Sequence, residues 1–396
     1  MFFDVLNHIA RKRPELVDLG TRMNVQVNLY LRTFFEYGTA SGPAVESASN
    51  SAVGSAESIV PWIGSDEFGC FALTESRAGV LSGLVVDVQF EEVTNQNKVE
   101  YVLNSGQVCK RWISQGVLAN HSLVVASNVK NHRDCRIFRV PTTGPGVIRQ
   151  RMMDSTGNVP IMDILDLAEF RYADVRVPRT AVLERTIQMS RKEILGGIFC
   201  GRLCLAEAVI NSMASYVDFV WNRTCGLQKF EQIGHLRYLK EIAERLEKYC
   251  LELSRIRCQL LHQRDVLRIN CYKIHCVEFS IMLYTEIHIR FGTYALGFGL
   301  DFQTLIINKI AEGDTSILKL AAIRQHLENC APNGASNGAS NGRFGIVSTV
   351  KNIVAIARSG IRAKHWFGLM WDPKEYVQAN RDSLFDDILG HIIPLI

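Results

Sequence analysis

An α+β architecture, with a short helical region first, a central β-barrel domain and then a four-helix-type bundle, is what this 396-residue sequence predicts. Three observations carry that expectation. Apolar residues recur at helical spacing near the N-terminus, short alternating or β-branched runs fill residues 66 to 185, and the 3.6-residue period returns in long segments beyond residue 188. A content of 47% hydrophobic and 21% charged residues suits a globular chain with a sizeable core.

The elements follow in order. Phe2, Phe3, Val5, Leu6 and Ile9 mark one helical face, and a second apolar-periodic run extends from Val25 to Tyr37. The tract "GTASGPAVESASNSAVGSAES" is small and polar and reads as an insertion, so residues 1–65 form a first region. Residues 66–187 hold "GCFALTE", "GLVVDVQFEEV", "KVEYVLN", "SLVVASNV", "CRIFRVP" and "FRYADVRVP", divided by glycine, proline, asparagine and aspartate, as in a small barrel or sandwich. Four helices are expected at about 188–222, 230–262, 265–292 and 314–328, which makes residues 188–330 a bundle. The tract "APNGASNGASNG" lies in a linker, 331–343, and residues 344–396 read as a helical extension.

Charge and cysteine usage narrow the function. The net charge of +4 comes from 44 basic and 40 acidic residues without a long basic block, so nothing calls for nucleic acid, while a phosphate-bearing small molecule fits. Eleven scattered cysteines without a C-x-x-C pair point to a reducing compartment and no metal site, with Cys200 and Cys204 packed in a core. No signal peptide or clear transit peptide is expected, since charge appears early. No integral membrane segment is expected either, because Glu286, His288 and Arg290 break the apolar run at 278 to 300. The ending "IIPLI" is not a peroxisomal tripeptide, so the expected setting is intracellular, with peroxisome and mitochondrion both open.

One short stretch, "NKIAEGDTSILKLAAIRQHL" at 308 to 327, raises a question about its acid. Asp314, Thr315 and Ser316 are all N-cap residue types before an apolar-periodic helix, so Glu312 can sit in the field of a helix N-terminus. Alternatively, Gly313 turns the chain so that Glu312 projects into a cleft as a general base. The residues alone leave both readings open.

Five motifs in order give the sequence a resemblance. "GCFALTE" (69 to 75), "WISQG" (112 to 116), "FRYADVRVPRTAVL" (170 to 183), "ALGFGLDF" (295 to 302) and "AEGDTSI" (311 to 317) resemble segments of the flavin-dependent acyl-CoA dehydrogenase and acyl-CoA oxidase superfamily. The likeness covers most of residues 66 to 328 and leans to the oxidase branch in "GCFALTE" and in Glu-Gly-Asp. It implies FAD, an acyl-CoA substrate, a homodimer or higher homo-oligomer, and α,β-desaturation of the thioester with Glu312 as the base.

By the same resemblance, Thr74, Ser76, Trp112, Ser114, Arg223, Gln232, Gly297, Gly299 and Thr315 are candidates to hold FAD, and Gly313 and Arg202 to meet substrate. The plainer alternatives are a barrel-core tryptophan, turn hydroxyls at Thr74 and Ser76, a solvated loop around Arg223 and Gln232, and a surface ion pair for Arg202. The sequence departs from the family pattern at Leu296, where glycine is usual, and at Cys225, where an aromatic is usual. The spacing from Arg223 to the next glycine is also one residue short. The helical regions before residue 66 and after residue 343 are shorter than the family's. A catalytically silent homologue, serving as a binding or assembly module, is therefore the alternative function.

Overall fold

The protein is described from a computed structural model over residues 2–12, 23–38, 68–77, 86–95, 98–153, 157, 165–189, 194, 199–298, 300, 302–330, 359, 361–365, 369 and 377–392. It divides into two compact units, Met1–Cys204 and Leu205–Ile396. The polar tracts expected to be an insertion and a linker lie outside the described residues, as does Gly299.

The first unit begins with helix α1 (Phe2–Lys12), then a π-helical stretch, Val25–Leu31, that runs directly into α2 (Arg32–Tyr37). Nine strands follow: β1 (Gly69–Ala72), β2 (Gln89–Asn95), β3 (Lys98–Asn104), β4 (Lys110–Ile113), β5 (His121–Asn128), β6 (Cys135–Pro141), β7 (Val147–Arg151), β8 (Ala168–Tyr172) and β9 (Val175–Pro178). All of them fall inside the expected β region. They form a six-stranded sheet, β1-β5-β2-β3-β9 with β6 also paired to β5, and a three-stranded sheet, β4-β8-β7. A bridge between Glu75 and Lys110 links the chain leaving β1 to β4.

The continuous apolar run in β5 follows from burial on both faces. Val124 and Ala126 point into a core with Phe90, Tyr101, Phe138 and Phe170. Leu123 and Val125 face a second core, which Tyr30, Leu31 and Tyr37 of the N-terminal helices complete. Gly69 is needed at that contact, because a Cβ there would lie 2.2 Å from the Tyr30 ring. The Gly69 N–H donates to Gln26 Oε1 at 3.1 Å, which fixes the start of β1 against the helix.

Helix α3 (Phe199–Thr224) crosses the division between the units. The second unit continues with α4 (Gln228–Gln232), α5 (His235–Gln263), α6 (Val266–Phe291), α7 (Phe302–Ile310), α8 (Thr315–Cys330) and α9 (Arg381–Ile392). Leu239, Leu246, Tyr249, Leu253, Ile256 and Leu260 place an apolar stripe along α5, one step of seven followed by alternating steps of three and four, which buries one face of the helix. The central helix α6 is buried far more widely and is capped by Asp265, whose carboxylate accepts the Arg268 N–H at 3.1 Å. Among the described residues only α3 is long and apolar enough to cross a membrane. In its most apolar window 83% of residues are buried in the protein, as in a core helix. Cys200 and Cys204 of α3 are buried, and all eleven cysteines are free thiols.

Candidate functional site

In the first unit four candidates converge on one pair of chain segments. The Thr74 carbonyl accepts from the Arg111 N–H at 2.9 Å. Ser76 exchanges two bonds with Cys109: its N–H donates to the Cys109 carbonyl at 2.9 Å, and its Oγ accepts the Cys109 N–H at 3.3 Å. Alternation then turns Glu75 and Lys110 inward between these contacts, and both side chains are fully buried.

Lys110 Nζ donates to Glu75 Oε1 at 2.6 Å and to the Leu73 carbonyl at 3.2 Å. Glu75 Oε2 accepts the Asp87 N–H at 2.6 Å, and its Oε1 accepts the Val88 N–H at 3.1 Å. Burial pulls the Lys110 pKa down, and the Glu75 charge opposes that shift. Lys110 thus donates two bonds and Glu75 accepts three, so backbone groups as well as the opposite charge hold the buried ion pair. Removing one member would leave the other buried and uncompensated, at a cost of about 3–5 kcal/mol.

This pair anchors the segment that presents Trp112. The register between β4 and β8 shifts between Lys110 and Ile113, and Trp112 adopts a left-handed φ of 62°. The irregularity throws the indole outward, so Trp112 is 52% exposed and the barrel-core alternative for it is wrong. The Arg111 guanidinium sits 5.5 Å from the ring centroid. Ser114 follows, half-buried, in a turn fixed by the Gln115 N–H bond to the Leu165 carbonyl at 2.6 Å. A Cβ at Gly116 would fall 2.6 Å from Ala168 Cβ, so that turn packs directly on the barrel. Arg202, on α3, is 8% exposed and therefore not a surface ion pair.

In the second unit Arg223 and Gly297 are brought together, because Arg223 Nη1 donates to the Leu296 carbonyl at 2.5 Å. Its guanidinium also lies 5.0 Å from the Phe219 ring. The Tyr216 hydroxyl donates to the Ala295 carbonyl at 3.2 Å and meets His288 Nδ1 at 2.9 Å, and burial pushes that hydroxyl's pKa up. The glycine-rich turn is thus held from two sides. Gly297 has φ +86°, and a Cβ there would meet nothing closer than Arg223 Nη1 at 3.9 Å. Gln232 is exposed at the end of α4, and among the described residues no hydrogen bond joins it to Arg223.

The acid and its neighbours occupy the junction of α7 and α8. Asp314 is the cap of α8: its Oδ1 accepts the Ser316 N–H at 2.7 Å and its carbonyl accepts the Leu318 N–H at 3.0 Å. Glu312 is two residues upstream, half-buried, with φ 57°, and Gly313 follows at φ 110°. A left-handed backbone at a non-glycine residue costs roughly 1–2 kcal/mol, and capping α8 does not require it. Thr315 is fully buried, and its Oγ1 has no hydrogen-bond partner among the described residues.

Three contributors to this arrangement escape a reading of motifs. Glu75 and Lys110 sit inside the quoted or adjacent segments, but their pairing depends on strands 35 residues apart. Lys273, buried in α6, donates to the Lys309 carbonyl at 3.0 Å and the Gly313 carbonyl at 2.8 Å. Its one sequence signal is a lysine inside the apolar run "INCYKIHCVEF".

Comparison with known proteins bears on the fold. No family model matches the chain. A curated relative, the mitochondrial short-chain specific acyl-CoA dehydrogenase of Mus musculus, is 26% identical over 211 residues, which is 50% of this chain and 44% of the relative. The chain's match therefore spans less than half the length of that relative. Among solved structures, an acyl-CoA oxidase from tomato aligns at TM-score 0.65 and 13% identity, covering 100% of this chain and 76% of that one. A glutaryl-CoA dehydrogenase from Mycobacterium smegmatis in complex with FADH2 aligns at TM-score 0.54 and 17% identity, covering 82% of this chain and 88% of that one.

Proposed function

From the premise that its fold is that of the acyl-CoA dehydrogenase and acyl-CoA oxidase superfamily, we propose that this protein is an FAD-dependent acyl-CoA oxidoreductase in which Glu312 is the base. The observation that carries the reading is the division of labour at the head of α8. Asp314 caps the helix, while Glu312 is held in a left-handed conformation that the helix does not need. Such outliers persist where the surroundings over-determine them, commonly at functional positions.

Each unit presents groups whose chemistry suits a dinucleotide: in the first, Trp112 offers an exposed aromatic face and Ser114 a hydroxyl at the adjoining turn; in the second, Thr315 offers a buried hydroxyl without a partner among the described residues and Gly297 a backbone open to close approach. Bound FAD would supply the electron sink, accepting the β hydrogen of the substrate as hydride. Glu312 removes the α proton of the acyl thioester and holds it on its carboxyl. That proton is only weakly acidic, so the thioester carbonyl needs donors, and the Glu312 N–H is the candidate from this chain. An oxidase rather than a dehydrogenase is supported by "GCFALTE" and by the Glu-Gly-Asp at 312 to 314.

Glu312→Gln tests the reading, because it keeps shape and removes the base. On anaerobic mixing with a saturated acyl-CoA, the flavin of the wild type bleaches and that of the variant bleaches about 10²–10⁴-fold more slowly. Equal rates would remove Glu312 from the chemistry. No bleaching in either protein at any chain length would favour the silent homologue.

A further inference from the structure

Lys273 is 0% exposed, and its ammonium binds backbone carbonyls on both sides of Glu312. The Lys309 carbonyl belongs to the last turn of α7, where carbonyls lack intrahelical partners and the helix dipole favours a cation. The Gly313 carbonyl immediately follows the acid. A single ammonium therefore fixes both ends of the short excursion that contains Ala311 and the left-handed Glu312. The other two lysines near this junction are used differently. Lys319 Nζ lies 2.8 Å from Glu278 Oε2, and Lys309 Nζ lies 3.9 Å from Glu278 Oε1. Lys273 donates to the loop backbone at two carbonyls.

We propose that Lys273 is a positioning residue for the base, a role that rests on the assignment of Glu312 to proton abstraction. An ammonium offers three donors and sits on a stem rooted in the buried helix α6, so the bundle core adds its own hold on the loop to that of Gly313 and Asp314. A base displaced by about 1 Å loses up to about 100-fold in rate.

The experiment compares wild type, Lys273→Met, Lys273→Arg, Glu312→Gln and the double variant Lys273→Met/Glu312→Gln, each loaded with FAD and mixed anaerobically with a saturated acyl-CoA. Lys273→Met keeps the volume and removes the donors. Its flavin reduction at saturating ligand falls about 10- to 100-fold, while the Kd for the acyl-CoA holds. Amide hydrogen exchange across residues 311 to 314 quickens and that of α6 does not. Lys273→Arg, which retains a cation and donors, recovers most of the rate. In the Glu312→Gln background, Lys273→Met has no further effect, because the base it positions is already gone.

Slow Glu312→Gln with wild-type Lys273→Met overturns the positioning role alone. Wild-type reduction by Glu312→Gln overturns the assignment of the base itself. An additive loss in the double variant also sinks the positioning role. So does failure of both Lys273 substitutions to fold, since the residue would then serve the core and not the loop.

Discussion

Two carboxylates at the head of α8 are held differently although only Gly313 lies between them. Asp314 accepts the Ser316 N–H and thereby satisfies an otherwise unpartnered donor of the first turn. Truncating an N-cap aspartate costs typically about 1 kcal/mol, so Asp314→Ala lowers the stability to chemical denaturation by about 0.5–2 kcal/mol. Glu312→Gln keeps the backbone and side-chain volume and leaves that cap intact, so its unfolding free energy stays within a few tenths of a kcal/mol of wild type. Urea titration of the two variants side by side decides the point. A loss in Glu312→Gln equal to that in Asp314→Ala would return Glu312 to the helix N-terminus and leave it no separate role.

At the scale of elements, α6 is the member to which the others are tied. It carries Lys273 under the α7–α8 loop and Glu278 beside Lys319, which also binds Asp382 of α9 at 2.8 Å. It carries His275, whose ring stacks on Phe279 and whose Nε2 lies 2.6 Å from the Tyr249 hydroxyl of α5. Burial, helped by the Arg245 charge, lowers the His275 pKa from 6.5 to about 4. As pH falls from 6.5 towards 4, the unfolded chain takes up a proton that the folded chain refuses, so stability present above the unfolded value is lost across that window. The loss amounts to about 2–3 kcal/mol. His275→Gln can keep a bond to Tyr249 without titrating. The difference in unfolding free energy between pH 7.5 and pH 4.5 is therefore expected to shrink by about that amount in the variant. Carboxylates contribute equally to both proteins, so an unchanged difference would mean that His275 is protonated in the fold.

The same helix shows what sequence patterning reveals and what it hides. The 3.6-residue period located α6 within a residue or so of its bounds, Val266–Phe291, because nearly every buried position is apolar. The strands were legible for a related reason, since Leu123 to Ala126 alternate between two cores that both demand apolar side chains. Lys273 was not legible, because what makes a buried lysine tolerable is a pair of carbonyls 36 and 40 residues away. For Trp112 the exposure that a cofactor contact needs comes from a register shift between β4 and β8 that "KRWI" does not announce. The expected start of the first bundle helix near residue 188 falls mostly outside the described residues: Glu184–Gln188 is a 3-10 turn, Ile194 is helical, and α3 is described from Phe199.

For the molecule as a whole, binding of FAD is a stability term that can be read without any turnover. A ligand that binds only the folded state adds RT ln(1 + [L]/Kd), about 2.7 kcal/mol at one hundred times its Kd. For a chain of 396 residues that corresponds to a rise of about 3 °C in the unfolding midpoint. Thr315 separates a cofactor contact from a structural one. Its buried hydroxyl lacks a partner among the described residues, and such a group costs about 1–3 kcal/mol in desolvation. Thr315→Val removes the hydroxyl at nearly constant volume, so the FAD-free protein should unfold at the same temperature as wild type or slightly above it. If the hydroxyl meets FAD, the variant then gains less from saturating FAD than the wild type does. A variant that is less stable without FAD, yet gains the full midpoint shift with it, would assign Thr315 to the fold. A wild type with no FAD-dependent shift at all would remove the cofactor, and with it the proposed reaction.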